Sequence, residues 1–298
     1  MLCFNRPLAD RLAQLAPNGT TVNTYLGFCT DRVRAAGIDV EFGPDGPRSG
    51  TWQHVQEQLI ASNLEAGPRF DCLVVDEGQD FESDWFEILQ LFLTEDAAIL
   101  WLEDPRQDLR GTPPVDLPGF ARYRETANFR SPQSIGRYIR RALGVDMELR
   151  NPLPGLGVRL HEYEDERGQQ KILAHRINEL VKLGFTHDDI AVVSCRGVNQ
   201  AVFAELGKLG SVPIRRFTGQ YDDAGQQIYT DGKLTCDTIF HFKGQQAPAV
   251  VLADIDESLA CSDRTRAVLY CGMTRATVRL EMLVHRQSPL LPELRDAI

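Results

Sequence analysis

The residues from Val75 to Glu82, V-D-E-G-Q-D-F-E, carry the densest chemistry in this chain. They follow the apolar run Cys72-Leu73-Val74, with Pro68 upstream, so Asp76 and Glu77 stand at the C-terminal end of what reads as a buried parallel strand. Open α/β sheets bind their ligands at that end. A carboxylate pair there suits nucleotide hydrolysis: Asp holds the Mg²⁺ that neutralises the phosphates, and its neighbour orients and deprotonates the attacking water. The phosphate cradle that normally accompanies such a pair, G-x-x-x-x-G-K-[ST], surrounds the phosphates with backbone N–H groups, and nothing in the sequence matches it. The nearest approach runs from Gly225 to Gly232-Lys233. Its glycine gap is too long and Leu234 occupies the hydroxyl position, so it reads as a polar loop with a turn at Asp231-Gly232.

The elements that must position these residues alternate strand and helix signals, as in βαβ units. Trp85, Ile88, Leu89 and Phe92 recur at helical spacing behind Asp76-Glu77. Ala97 to Leu102 reads as the next buried strand and ends at Glu103-Asp104. Pro113-Pro114, Pro118 and Gly119 break the pattern; Ser131-Pro132 then opens a helix with Ser as N-cap and a face of Ile135, Tyr138, Ile139 and Ala142. Beyond Pro152-Leu153-Pro154-Gly155 the spacing predicts helices over 168–183, 198–209 and 263–274. Strands are expected near 190–194, 212–217, 235–240, 249–254 and 280–284.

At 298 residues, 43% hydrophobic and 25% charged, the chain is globular and long enough for two cores. No apolar run approaches the ~20 residues of a membrane span, and the start of the chain is too short in apolar residues for a signal peptide, which implies a cytoplasmic protein. Seven cysteines without a C-x-x-C pair read as core residues rather than as a metal or disulfide framework. A net charge of −10 argues against a protein that grips nucleic acid by bulk electrostatics, while leaving room for a local groove. Arginines cluster at Arg137, Arg140 and Arg141, read here as a solvated helix face, and again at Arg264, Arg266, Arg275 and Arg279.

Read in order, the motifs resemble those of the UvrD/Rep-like superfamily 1 helicases. Asp76-Glu77-Gly78-Gln79-Asp80 is similar to that family's D-E-x-Q-D, and Asp104-Pro105-Arg106-Gln107 to its D-x-x-Q. Asn128-Phe129-Arg130-Ser131 resembles N-Y-R-S. Thr238-Ile239-Phe240-His241-Phe242-Lys243-Gly244 resembles T-I-H-x-x-K-G, and Tyr270-Cys271-Gly272-Met273-Thr274-Arg275-Ala276 resembles Y-V-A-L-T-R-A. Leu2-Cys3-Phe4-Asn5-Arg6 is similar to the segment just after the family's P-loop helix, and Thr21 to Tyr25 to the next segment that contacts nucleic acid.

The resemblance implies two RecA-like lobes, doubly wound parallel sheets of the P-loop NTPase type. The first covers 1–125 and lacks its P-loop strand and helix; the second covers 126–298 and carries an arginine finger. It implies ATP and Mg²⁺ as cofactors. Asp76 would bind the metal, Glu77 act on water, and Gln107, Arg130 and Arg275 contact the γ-phosphate. Phe129 would stack on adenine. Gln246 stands in place of the glutamate that meets the ribose. Asn5, Thr24, Thr238 and Lys243 would contact single-stranded DNA, although the short Gln107-Asp108-Leu109-Arg110-Gly111 lacks the aromatics on which the family stacks bases.

The expected activity is that of an ATP-dependent DNA helicase or translocase, truncated at its N-terminus and not hydrolysing ATP alone. The alternative is a non-catalytic, helicase-like binding module acting with a partner protein or nucleic acid, or taking a P-loop segment from a partner chain. A nuclease, hinted at only by Asp231-x-Lys233, is a distant third. Helices are expected on both faces of each sheet, as buried parallel strands require. Loss of the P-loop strand and helix would leave the strands near Leu73 and Leu100 short of backbone partners and cover. Asp76, Asp104 and Arg275 are expected to converge on the cleft between the lobes.

Overall fold

In the computed structural model, which describes residues 1–40, 51–61, 69–221 and 227–298, the chain forms two α/β units. One comprises Met1–Phe120 with Gly219–Ile228, the other Ala121–Thr218 with Tyr229–Ile298. The sequence reading sets its boundary at residue 125. Pro68 and Gly225 lie outside the described residues.

The first unit runs β1 (Leu2–Cys3), α1 (Arg6–Leu15), β2 (Asn23–Thr24), α2 (Tyr25–Ala35), α3 (Thr51–Ala61), β3 (Phe70–Val75), α4 (Ser83–Gln90) and β4 (Leu93–Trp101). Its strands pair in parallel in the order β2-β1-β3-β4. One face is a continuous core in which Leu73, Val75 and the partly buried Ile99 and Trp101 meet Tyr25, Phe28, Val55, Trp85 and Ile88. The opposite face is covered at β1, where Cys3 packs with Leu8, Ala9 and Leu12.

Cover stops there. Cys72 pairs with Ala98 and Val74 with Leu100, and this part of the face has no helix over it among the described residues. Leu100 is 51% exposed and Leu102 42%. The expectation of helices on both faces is therefore overturned at β3 and β4, where the loss of cover expected near Leu100 is seen instead; α1 packs against β1 and β2. The expected shortage of strand partners also changes form. β3 is paired on both sides, with Asp76 N–H donating to Leu2 O at 2.9 Å, and among the described residues β4 and β2 are the edges of the sheet.

The second unit runs β5 (Ala127–Asn128), α5 (Gln133–Leu143), β6 (Glu148–Leu149), β7 (Val158–Tyr163), α6 (Glu166–Lys182), β8 (Ile190–Ser194), β9 (Lys208–Leu209) and β10 (Val212–Arg215). β11 (Phe217–Tyr221) and β12 (Gln227–Tyr229), which pair with each other, fall mostly in Gly219–Ile228, the segment grouped with the first unit. Then come β13 (Leu234–Thr238), α7 (Ile239–Phe242), β14 (Ala247–Ile255), α8 (Asp263–Met273), β15 (Ala276–His285) and α9 (Leu291–Asp296). Among the described residues the main sheet has the order β7-β15-β14-β8-β13-β10-β9, parallel except for β9. Leu173, Ile177 and Leu180 of α6 pack on one face against Val192, Val251 and Leu283. On the other face Gly272 of α8 lies so close to Leu252 that a Cβ would come within 2.8 Å of it, and the Tyr138 hydroxyl of α5 donates to Leu294 O at 2.9 Å.

Two local expectations are corrected here. Pro132, not Ser131, is the residue that precedes α5; Ser131 is fully buried and its hydroxyl accepts from the Asn128 amide. The helix expected over 198–209 is a single turn at Val198–Gln200 followed by loop. Its Val202 N–H is taken at 3.1 Å by the buried Asp254 carboxylate, and Ala201, Val202 and Phe203 plug the core instead of continuing a helix.

Candidate functional site

In the first unit the acidic motifs are brought together where β3 and β4 end. Leu102 N–H donates to Val75 O and Gly78 N–H to Leu102 O, at 2.9 and 2.8 Å, so the loop after β3 is stitched to the end of β4. Glu77 sits in the left-handed region (φ 58°), a conformation that costs a side-chain-bearing residue and that concentrates at functional turns. Gly78 is required by space, since a Cβ there would lie 2.2 Å from Trp101 Nε1. Asp76 Oδ1 accepts the Glu77 N–H at 3.0 Å. Gln79 then bridges the two motifs: its amide donates to Glu77 Oε2 at 2.6 Å and its carbonyl accepts the Asp104 N–H at 3.0 Å. Asp104 in turn caps its own turn by accepting from Arg106 N–H, and accepts from the Gln107 amide at 2.8 Å.

The field at this sheet end is negative. Burial first, and then the charges of Asp76 and Glu77, push the Cys3 thiol up to about 12. Asp76 and Asp104 offer hard carboxylate oxygens of the kind Mg²⁺ takes one or two of, the rest of its shell coming from water and phosphate. Among the described residues no group of three or more His, Cys, Asp or Glu side chains forms a metal site by itself.

Asn5 and Thr24, expected to contact nucleic acid, are buried helix caps: Asn5 Oδ1 accepts from Leu8 N–H at 2.9 Å and Thr24 Oγ1 from Gly27 N–H at 3.0 Å. Thr238 does the same for α7, accepting from His241 N–H.

In the second unit Asn128 Oδ1 accepts the N–H groups of Arg130 and Ser131 at 3.0 and 2.8 Å, which fixes the N-F-R-S turn and leaves Phe129 66% exposed. Arg130 and Gln246 are exposed, whereas Lys243 is buried. Arg275 is only 1% exposed. Its guanidinium donates to Cys271 O at 2.8 Å, Gln245 O at 3.3 Å and the Thr274 hydroxyl at 3.2 Å, while its own carbonyl accepts from Ala247 N–H. The last two motifs are thereby tied together within this unit.

Two groups escaped the sequence reading. Gln79 was visible only as a motif letter, although it is the hinge of the first-unit network. Asp254 was hidden in the apolar run of β14. It is the other non-glycine residue with positive φ (61°) among those described, and its carboxylate accepts from Ser194 Oγ at 2.5 Å and Gln169 Nε2 at 2.7 Å. Burial raises its pKa, against the pull of those donors. Beside it, Arg196, Asn199, Gln200, Glu205 and Ser258 line a polar concavity of about 630 Å³.

Residues 233–282 match the family model of the UvrD-like helicase C-terminal domain. That stretch holds β13, α7, β14, α8 and most of β15, so the UvrD-like character of this chain is carried by its second unit. Among solved structures, the C-terminal domain of a possible DNA helicase from Lactobacillus plantarum WCFS1 aligns with 56% of this chain and 94% of its own length, at 16% identity and a TM-score of 0.43. No curated protein matches the sequence. No helix among the described residues is long and apolar enough to cross a membrane.

Proposed function

We propose that this chain is the body of a UvrD-type, ATP-dependent DNA helicase or translocase built on two RecA-like units, with its phosphate-binding segment supplied from outside residues 1–298. The observation that carries the reading is the Glu77–Gln79–Asp104–Gln107 network at the ends of two parallel strands, which sets a carboxylate pair beside a D-x-x-Q turn. The UvrD-like segment of the second unit supports it. On this reading the first unit contributes Asp76 to Mg²⁺, Glu77 to the attacking water and Gln107 to the γ-phosphate. The second contributes Phe129 to adenine and Arg130 and Arg275 to phosphate charge. Bound Mg²⁺ would neutralise the phosphates; the protein's own work is positioning and charge stabilisation.

Without backbone N–H groups around the phosphates, Asp76 cannot fix the γ-phosphate for in-line attack. Purified 1–298 should therefore hydrolyse ATP at background rate with or without single-stranded DNA, while binding a fluorescent ATP analogue weakly and in a Mg²⁺-dependent manner. DNA-stimulated turnover abolished by Glu77→Gln would refute the claim of incompleteness; no nucleotide binding at millimolar concentration would refute the nucleotide reading.

A second reading, a non-hydrolysing helicase-like module, is favoured by one observation. The Arg275 guanidinium is buried and engaged by carbonyls of its own unit. On that reading Arg275→Lys lowers the stability of the second unit and leaves nucleotide affinity unchanged.

A further inference from the structure

We propose that the outer face of α5 is a contact surface for the phosphate backbone of single-stranded nucleic acid, an inference that rests on the nucleic-acid reading above. Arg137, Arg140 and Arg141, spaced i, i+3, i+4, line a concavity of about 700 Å³ with Gly144, Val145 and Asp146. Three guanidiniums against one carboxylate leave an excess of two positive charges (3 − 1) on a chain whose net charge is −10.

The face is held rigid from behind. Ile135, Tyr138, Ile139 and Ala142 are fully buried, Tyr138 is anchored on Leu294 O, and a Cβ on Gly136 would come within 2.3 Å of Leu149. A rigid element is what a binding constellation needs behind it.

The ordinary duties of basic residues on a helix account only in part for Arg140 and Arg141, which stand in its last turn, and not at all for Arg137. Compensation of the helix dipole acts within the last turn, where Arg266 already donates to Leu143 O at 3.2 Å and Gly144 takes the left-handed capping conformation. Arg137 lies well before that turn. Among the described residues none of the three forms an ion pair: Arg137 meets the Gln133 amide oxygen at 3.4 Å and Arg141 meets Ile298 O at 3.4 Å. Like charges three and four residues apart on a helix repel one another, and an anion relieves that repulsion.

Guanidinium forks match phosphate oxygens bidentately. Among the described residues no aromatic ring lines the concavity, so the contact is to the backbone and independent of sequence. A flexible single strand can bring successive phosphates to guanidiniums one helical turn apart. The same unit holds the UvrD-like segment, which favours nucleic acid over an acidic peptide.

The test is fluorescence anisotropy of a labelled oligothymidylate with chain 1–298 and with the Arg137→Gln/Arg140→Gln/Arg141→Gln variant, whose exposed positions and retained helix formers keep the fold. Over about 50 to 200 mM salt the variant should bind at least about tenfold more weakly, with a salt slope shallower by about 2, since each single-strand phosphate contact contributes about 0.7. The corresponding Arg→Lys variant should keep most of the slope. Equal affinity and equal slope in wild type and the Gln variant would overturn the α5 surface and leave the nucleic-acid reading standing. No binding by wild type would overturn both. Equal displacement of the oligonucleotide by polyglutamate at matched charge would assign the surface to acidic polymers in general and overturn the proposal.

Discussion

Gln79 and Asp104 are joined by a 3.0 Å hydrogen bond from the Asp104 backbone to the Gln79 side chain, and through it the turn after β4 takes its position from the loop after β3. The same buried Gln79 amide donates to Glu77, so one residue fixes both the carboxylate expected to act on water and the turn that carries Gln107.

Gln79→Leu should therefore cost the first unit roughly 1 to 3 kcal/mol in urea titration, because the Asp104 N–H loses its acceptor and Glu77 its donor. Gln79→Glu should be worse at neutral pH, where it sets a second carboxylate against Glu77, and should recover partly as the pH falls toward 4. Equal unfolding midpoints for wild type and both variants would show that the network does not hold the loop.

Gly78→Ala tests the close packing of that loop on Trp101. A Cβ 2.2 Å from the indole nitrogen forces the ring to move, and overpacking of this kind costs about 1 to 3 kcal/mol. Combining it with Trp101→Leu should cost less than the sum of the two single changes. Additive losses in thermal unfolding would show that the two positions do not press on each other.

The strand ends were legible because apolar runs followed by carboxylates mark where parallel strands stop, and the long amphipathic helices were legible from their spacing. What the spacing could not show depended on the surroundings of each residue. Val202 looks helical until Asp254, in a different strand, takes its N–H. Ala97 to Leu102 reads as a buried strand because hydropathy reports side chains and not neighbours; among the described residues Leu100 is left half exposed. Arg275 has the motif of a phosphate-contacting arginine, and no motif announces that it also meets the carbonyl of Gln245, thirty positions away. Asn5 and Thr24 match a nucleic-acid-contacting pattern and also have the right chemistry for N-caps, which is where they are found.

A pH dependence belongs to the second unit. Glu281 is fully buried among His161, Arg279 and Arg176. Burial alone would raise its pKa, yet hydrogen bonds from His161 and Arg279 and the two arginine charges hold it down to about 2, from an ordinary 4.5. A carboxylate depressed by folding contributes stability that is fully present above the unfolded value and is lost as pH falls toward the folded one. The second unit should thus lose on the order of 3 kcal/mol between pH ~4.5 and ~2 through this group. Glu281→Gln should lower stability at pH 7 by roughly 3 to 5 kcal/mol, leaving two buried arginines uncompensated, and should flatten the acid limb of the curve. An unchanged acid limb in the variant would remove Glu281 as its cause.

Among the described residues β4 is an edge strand of the first sheet. Leu102 N–H points to β3, bonding Val75 O, so by alternation the N–H groups of Ile99 and Trp101 point away from β3 while their side chains enter the core. A backbone group without a partner strand depends on water, and local opening is not needed for it to exchange. In hydrogen exchange on monomeric 1–298, Ile99 and Trp101 should exchange far faster than Leu100, although Leu100 is the more exposed side chain. In β14, which has strands on both sides, neighbouring amides from Val250 to Ala253 should be protected alike. Leu100→Ala should shift stability by less than about 0.5 kcal/mol, against roughly 2 to 5 for the buried Leu73→Ala. Protection of Ile99 and Trp101 equal to that of Leu100 would show that another segment covers this edge, and a large loss on Leu100→Ala would show that the open face is packed in solution.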